Sequence, residues 1–198
     1  INTVMSRYNI TMSDPNQFVW YRIAKNATQT MRKTFKADKH VKLTKPFGQG
    51  MEYNEKWDSY FKFTIVRNPW DRLVSCWSQK VNWHSAPWRN LRKWKEFDDF
   101  VRIVCNKMRP NSIKCDRHVR VQTTMYNQEK IDYIGRFEDL QGSFDYICNQ
   151  IGIDTVELRK VNKSKHTKYM EYYTDETREL VQQTYINDIK QLGYEFGK

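Results

Sequence analysis

The chain has 198 residues, a net charge of +11, 39% hydrophobic and 15% aromatic residues. Its length fits one domain with a sizeable core, and this apolar content argues against a disordered chain. No apolar run approaches the ~20 residues of a membrane span, and no signal peptide is visible, while the positive charge points to an anionic partner: a nucleotide, a sulfated or carboxylated glycan, or nucleic acid.

Residues 1–16 are polar and read as an N-terminal arm. Phe18 to Ile23, FVWYRI, is β-branched and aromatic and reads as the first strand. AKNATQT follows, and MRKTFKA continues it as a helix with Thr28 or Thr30 as N-cap. A second short strand is expected from His40 to Leu43, and residues 44–58, with Pro46, Gly48 and Gly50, as a loop.

The stretch FKFTIVRNPWDRLVSCW, from Phe61 to Trp77, begins with an apolar run short enough for one buried strand. Asn68-Pro69 ends that strand, and Pro69 suits the first turn of a helix, where its missing N–H is not needed. Trp70, Leu73, Val74, Trp77 and Val81 then share one apolar face, with Arg72, Ser75 and Gln79 on another. In open α/β sheets ligands bind at the carboxyl ends of the strands. Arg67 and Ser75 are therefore expected to converge on an anionic group near the helix N-terminus.

From Lys80 to Arg120 eleven Lys/Arg stand against four Asp/Glu, so most of the net charge is concentrated there. Trp83, His84, Trp88 and Trp94 are interleaved with this charge. The spacing predicts an amphipathic helix over 95–108, a strand from Ile131 to Gly135 and a helix over 138–151. A last helix begins after Thr174 and stops at Gly193. Strands alternating with helices, without an internal repeat, predict an α/β three-layer sandwich around a mostly parallel sheet, in a single domain spanning 1–198.

Cys76, Cys105, Cys115 and Cys148 lack CxxC spacing, so a zinc site is not expected. The first, second and fourth fall in apolar helical patterns; Cys115 could pair with Cys105 only in an oxidising compartment. Sequons occur at Asn9, Asn26 and Asn162. Asn26 lies in the AKNATQT loop, where a glycan would block a ligand. A cytoplasmic location is favoured on that ground, and a Golgi-lumen one if an anchor precedes Ile1.

A lysine, several hydroxyls and backbone N–H groups at a helix start would make AKNATQT a phosphate cradle. It is not the nucleotide-kinase pattern GxxxxGK[ST], since Lys25 precedes the small and hydroxyl residues. Two stretches together are more specific. VWYRIAKNATQT resembles the 5′-phosphosulfate loop of sulfotransferases that use 3′-phosphoadenosine 5′-phosphosulfate (PAPS). FTIVRNPWDRLVSCW is similar to their 3′-phosphate segment, R-[DN]-P-x-x-R-x-x-S. HVRVQ at 118–122, YIGRFEDL at 133–140 and the NKSKH…YYTDET…Y…DI…GYEF tail extend the resemblance over nearly the whole chain. It is to the carbohydrate (Golgi-type) branch and its small bacterial and viral relatives, and it implies a P-loop kinase-like sulfotransferase fold.

The resemblance implies that Lys25, with Asn26, Ala27, Thr28, Gln29 and Thr30, holds the 5′-phosphosulfate, and that Lys25 also stabilises charge on the bridging oxygen. Arg67 and Ser75 would take the 3′-phosphate, and Lys163 and Ser164 would close over the nucleotide. Ala24 stands where the family often has Pro, and Thr28-Gln29 replaces a commoner small-residue pair. PAPS would be the donor and 3′,5′-ADP the product, with no metal expected because Lys and Arg supply the charge.

The acceptor hydroxyl needs a base, and histidine has a suitable pKa of ~6.5. His40 is the leading candidate and His84 the alternative; His166, Glu52 and Glu55 stay open, and His118 is read as an acceptor-binding or structural residue. Trp83, Trp88, Arg89 and Arg92 are the remaining acceptor candidates, either stacking sugar rings and holding acidic groups or closing a small core. The acceptor is expected to be a glycan or sugar-containing molecule, with no nucleic acid partner. The competing readings are an ATP-dependent small-molecule kinase and a non-catalytic module binding acidic glycans.

Overall fold

The computed structural model describes residues 7–80, 96–158 and 169–198. The chain divides into two compact units interleaved in sequence, Ile1–Val66 with Met125–Val161 and Arg67–Thr124 with Asn162–Lys198.

The first unit holds a sheet that has five strands among the described residues: β1 (Tyr8–Ser13), β2 (Phe18–Tyr21), β3 (Lys45–Met51), β4 (Phe61–Val66) and β5 (Tyr133–Arg136), in the order β3-β1-β2-β4-β5. β2, β4 and β5 form a parallel core, and β1 and β3 add an antiparallel edge. The fold is α/β, with helices flanking this sheet. Every residue of β2 is buried, as are those of β4 after Phe61. β2 accordingly reads as an unbroken apolar run, whereas β4 buries Lys62 and Thr64 between its apolar residues, the Lys62 ammonium donating to the carbonyls of Trp57, Asp58 and Tyr60 and the Thr64 hydroxyl to Tyr21 C=O.

Phe18, Trp20, Phe63 and Ile65 pack with Met31 and Phe35 of α1 (Thr28–Ala37) and with Phe144, Ile147 and Ile151 of α4 (Leu140–Ile151). α4 approaches β5 closely at Gly135. A Cβ there would lie 2.6 Å from Ile65 Cδ1 and 2.9 Å from Ser143 Cβ. The Ser143 hydroxyl accepts from Arg136 N–H at 2.8 Å and donates to Arg136 C=O at 3.2 Å, so one side chain brackets the last residue of β5.

Three expectations are corrected in this unit. Residues 8–13 belong not to an arm but to β1, where Ile10 and Met12 are buried. Its polar Thr11 and Ser13 are buried too, because their hydroxyls donate to Pro46 C=O at 3.0 Å and Lys42 C=O at 2.7 Å. Residues 40–43 form no strand; the strand is β3, in the stretch read as loop. Pro46 is tolerated there because β3 is an edge, pairing with β1 on one side. Finally, α1 is preceded by Ala27 at its N-cap, not by Thr28 or Thr30.

The second unit is helical among its described residues: α2 (Pro69–Lys80), α3 (Phe97–Lys107), α5 (Asp175–Thr184) and α6 (Ile186–Leu192). Trp70, Leu73, Val74, Phe97, Phe100, Val104, Val181 and Tyr185 build its core. Thr174 caps α5 by accepting from Thr177 N–H. The last helix is two helices, broken at Tyr185, whose ring is buried in this core. None of the four cysteines is in a disulfide, and Cys76 and Cys148 are buried. No helix among the described residues is long and apolar enough to cross a membrane.

Candidate functional site

The loop between β2 and α1 combines two unusual backbone conformations. Lys25 and Ala27 have φ of 74° and 57°, the left-handed region that non-glycine residues rarely enter. Strain of this kind persists only where surrounding structure holds it, and turns that admit left-handed residues gather backbone N–H groups into anion-binding concavities. Asn26, between the two, is 1% exposed and donates from Nδ2 to Ile65 C=O at 2.8 Å. Thr28 Oγ1 donates back to Ile23 C=O at 2.8 Å. The loop is thus tied at both ends.

α1 begins with no side-chain cap and no acidic residue in its first turn. The first-turn N–H groups of a helix have no intrahelical acceptor, and they carry the positive end of its dipole. Lys25 is half-buried beside this start, Gln29 is exposed and Thr30 is buried. Lys25 to Thr30 thus form one turn that runs into the uncapped start of α1, the kind of helix start that favours an anion.

In the second unit Arg67 leads into α2, with Pro69 as its first residue. Arg67 is 4% exposed, and its Nε donates to Asp71 Oδ2 at 2.7 Å. Residues 67, 71 and 75 follow one another at four-residue spacing, so Asp71 and Ser75 share a stripe along α2. Arg72, on the neighbouring face, is buried and structural: it donates to the carbonyls of Arg120 at 2.8 Å and Arg117 at 3.0 Å.

His118 has a partner that spacing did not reveal. Its Nδ1 lies 2.7 Å from Asp116 Oδ1, and its backbone N–H donates to the same oxygen at 2.8 Å. Burial lowers the imidazole pKa more than Asp116 restores it. The Asp116 carboxyl is pushed up by burial, yet the two bonds from His118 bring it below its ordinary value. An ionised carboxylate only accepts, so Nδ1 carries the proton and Nε2 is the basic nitrogen. Lys80, whose pKa burial pushes down to about 8, adds its charge to this group.

His40 is placed differently. It is exposed in a turn beyond the C-terminal end of α1, where its N–H donates to Asp38 Oδ1 at 2.7 Å. Lys25 precedes the other end of the same ten-residue helix. At 1.5 Å per residue, α1 alone is ~15 Å long. The structure does not bring His40 to the loop. Trp83, His84, Trp88, Arg89, Arg92, Lys163, Ser164 and His166 lie outside the described residues. Among the described residues no three His, Cys, Asp or Glu side chains are grouped to hold a metal ion.

Sequence reasoning missed Asp71 as the partner of Arg67 and Asp116 as the partner of His118. The four-residue step from Arg67 to Asp71 was a readable signal for the first. The second is a turn contact two residues apart, for which periodicity offers none.

The chain matches the family model described as "Sulfotransferase family" over residues 1–195. It is similar to Carbohydrate sulfotransferase 10 of Xenopus laevis, 27% identical over 179 residues, covering 72% of this chain and 50% of that protein. The proteins of the same name from Rattus norvegicus, 26% identical over 172 residues (69% and 48% covered), and Homo sapiens, 25% over 179 (73% and 49%), are also similar. The chain spans about half the length of these curated relatives. No solved structure matches it.

Proposed function

The chain belongs to the sulfotransferase family, and from that premise we propose that it transfers the sulfuryl group of PAPS to a hydroxyl, most simply that of a carbohydrate. The observation that carries this reading is the Lys25–Thr30 turn: a helix start without a cap, behind two left-handed residues, and pinned through Asn26 to β4. The carbohydrate acceptor is supported by the similarity to the carbohydrate sulfotransferases. The family match runs through both units, so both are taken as one catalytic domain.

PAPS, when bound, supplies an activated sulfuryl group. The chain's own residues orient, neutralise charge and move a proton. The first-turn N–H groups of α1 and the Lys25 ammonium receive the 5′-phosphosulfate, and Lys25 offsets negative charge developing on the bridging oxygen. Arg67 and Ser75 take the 3′-phosphate, with Asp71 fixing the guanidinium by its Nε. In-line transfer needs alignment of attacker and leaving group more than covalent participation by the protein.

For the base, His118 has what the role requires: a neutral ring, a defined tautomer and an orienting carboxylate. His40, at the far end of α1, lacks such support. Lys163 and Ser164 remain assigned to the nucleotide by the resemblance, and Trp83, His84, Trp88, Arg89 and Arg92 to the acceptor by the aromatic and basic composition of their stretch. A thermal-shift comparison tests the donor: stabilisation by 3′,5′-ADP is expected, and stabilisation by ATP–Mg²⁺ without any by 3′,5′-ADP would overturn the reading in favour of a kinase. Labelled PAPS offered to a panel of glycans and small alcohols then tests the acceptor.

A further inference from the structure

Arg67 is held by its backbone as well as by Asp71. Gln122, in a single 3₁₀ turn (Gln122–Thr124), accepts from Arg67 N–H through Oε1 at 3.0 Å and donates from Nε2 to Arg67 C=O at 2.8 Å. The primary amide thus exchanges two hydrogen bonds with one residue, as the facing residue of an antiparallel strand would. Both partners are buried.

Gln122 is itself oriented. Asp188 of α6, 0% exposed, accepts from Gln122 N–H and Thr123 N–H at 2.8 Å each, and lies 3.3 Å from Gln122 Nε2. A carboxylate beside the amide admits only its NH₂ end, which turns Oε1 toward Arg67 N–H. The direction of a guanidinium is set first by the Cα–Cβ bond from which it grows. That bond is fixed when the peptides on both sides of the residue are fixed. Arg67 has this at its N–H and C=O, and again at Nε.

We propose that Gln122 is a positioning residue for the nucleotide 3′-phosphate, acting through the Arg67 backbone and set in place by the buried Asp188. This rests on the assignment of Arg67 to the 3′-phosphate made above. Gln122 need not touch the ligand. Its contribution is to selectivity for a 3′-phosphorylated nucleotide over one without that group.

The test compares dissociation constants for 3′,5′-ADP and 5′-AMP, by calorimetry on the full chain, in wild type, Arg67→Ala and Gln122→Met, with melting temperatures alongside. Wild type is expected to prefer 3′,5′-ADP and Arg67→Ala to lose that preference. Gln122→Met, similar in volume but without the amide, is expected to weaken 3′,5′-ADP binding by about tenfold while leaving 5′-AMP binding unchanged, since two buried hydrogen bonds are removed. Equal weakening of both ligands, or an intact preference, would overturn the positioning role while Arg67 keeps its own. No preference in wild type, or none lost in Arg67→Ala, would overturn the Arg67 assignment and this inference with it. Should Gln122→Met not fold, Gln122→Asn shortens the side chain by one methylene and withdraws the amide from Arg67 without adding a charge beside Asp188, with the same expected direction and the same overturning results.

Discussion

Asn26 Nδ2 donates to the main-chain carbonyl of Ile65 at 2.8 Å, fastening the anion-receptive loop to the central strand. Removing this amide leaves a buried carbonyl without that donor, a loss of about 1–3 kcal/mol. Asn26→Ala is therefore expected to melt earlier than wild type and to bind 3′,5′-ADP more weakly. Differential scanning fluorimetry with and without the nucleotide measures both. An unchanged nucleotide response would mean that the loop does not depend on this tie.

Lys25 and Arg67 are expected to fail differently. Lys25→Ala should abolish sulfuryl transfer from labelled PAPS while retaining much of the affinity for 3′,5′-ADP, because it serves the bridging oxygen as charge develops there. Arg67→Ala should lose nucleotide affinity first, read as a raised KM for PAPS. Matching kcat and KM effects in the two variants would contradict the division of labour.

His118 makes a pH prediction. Its pKa is below the ordinary 6.5, from burial first and with Asp116 opposing, so the fold disfavours the imidazolium. The stability it contributes is complete above 6.5 and is lost as pH falls from there toward the folded value. Asp116, lowered below 3.8, contributes stability that is lost only as pH falls through its own folded value. Urea midpoints of wild type should fall between pH 7 and 5, and those of His118→Gln should fall less. If His118 is also the base, its loss lowers kcat and the acid limb of the wild-type rate profile lies below 6.5. His40→Ala should leave transfer near the wild-type rate; an inactive His40→Ala beside an active His118→Gln would reverse the assignment.

Gly135 supports β5 by its lack of a side chain. A methyl group placed 2.6 Å from Ile65 Cδ1 and 2.9 Å from Ser143 Cβ forces α4 away from the sheet. Gly135→Ala should cost about 1–3 kcal/mol by overpacking, read from the urea midpoint. A neutral result would mean that α4 can shift without consequence.

Much of this protein is written locally. β2, β4 and α2 were legible because aromatic and β-branched residues crowd both strands and Pro69 marks the turn into a helix. α3 and α4 follow from apolar spacing of a single face. β1 was hidden because Thr11 and Ser13 look solvent-facing until Pro46 and Lys42 supply acceptors for their hydroxyls. β3 was hidden because proline and glycine signal a loop unless the strand is an edge. The break at Tyr185 arises where a ring is drawn into the core, which apolar spacing alone does not register.

By itself the sequence determined the α/β class and the residues of the loop and of the Arg67 turn, because strands, helices and the two motif stretches are short-range patterns. Only the tertiary structure decided that His40 stands at the C-terminal end of α1, that His118 has a carboxylate, and that Gln122 and Asp188 hold Arg67. Gln122 is 55 residues from Arg67 and 66 from Asp188. Hydrogen bonds over such separations are fixed by how the chain packs, and no local periodicity encodes them.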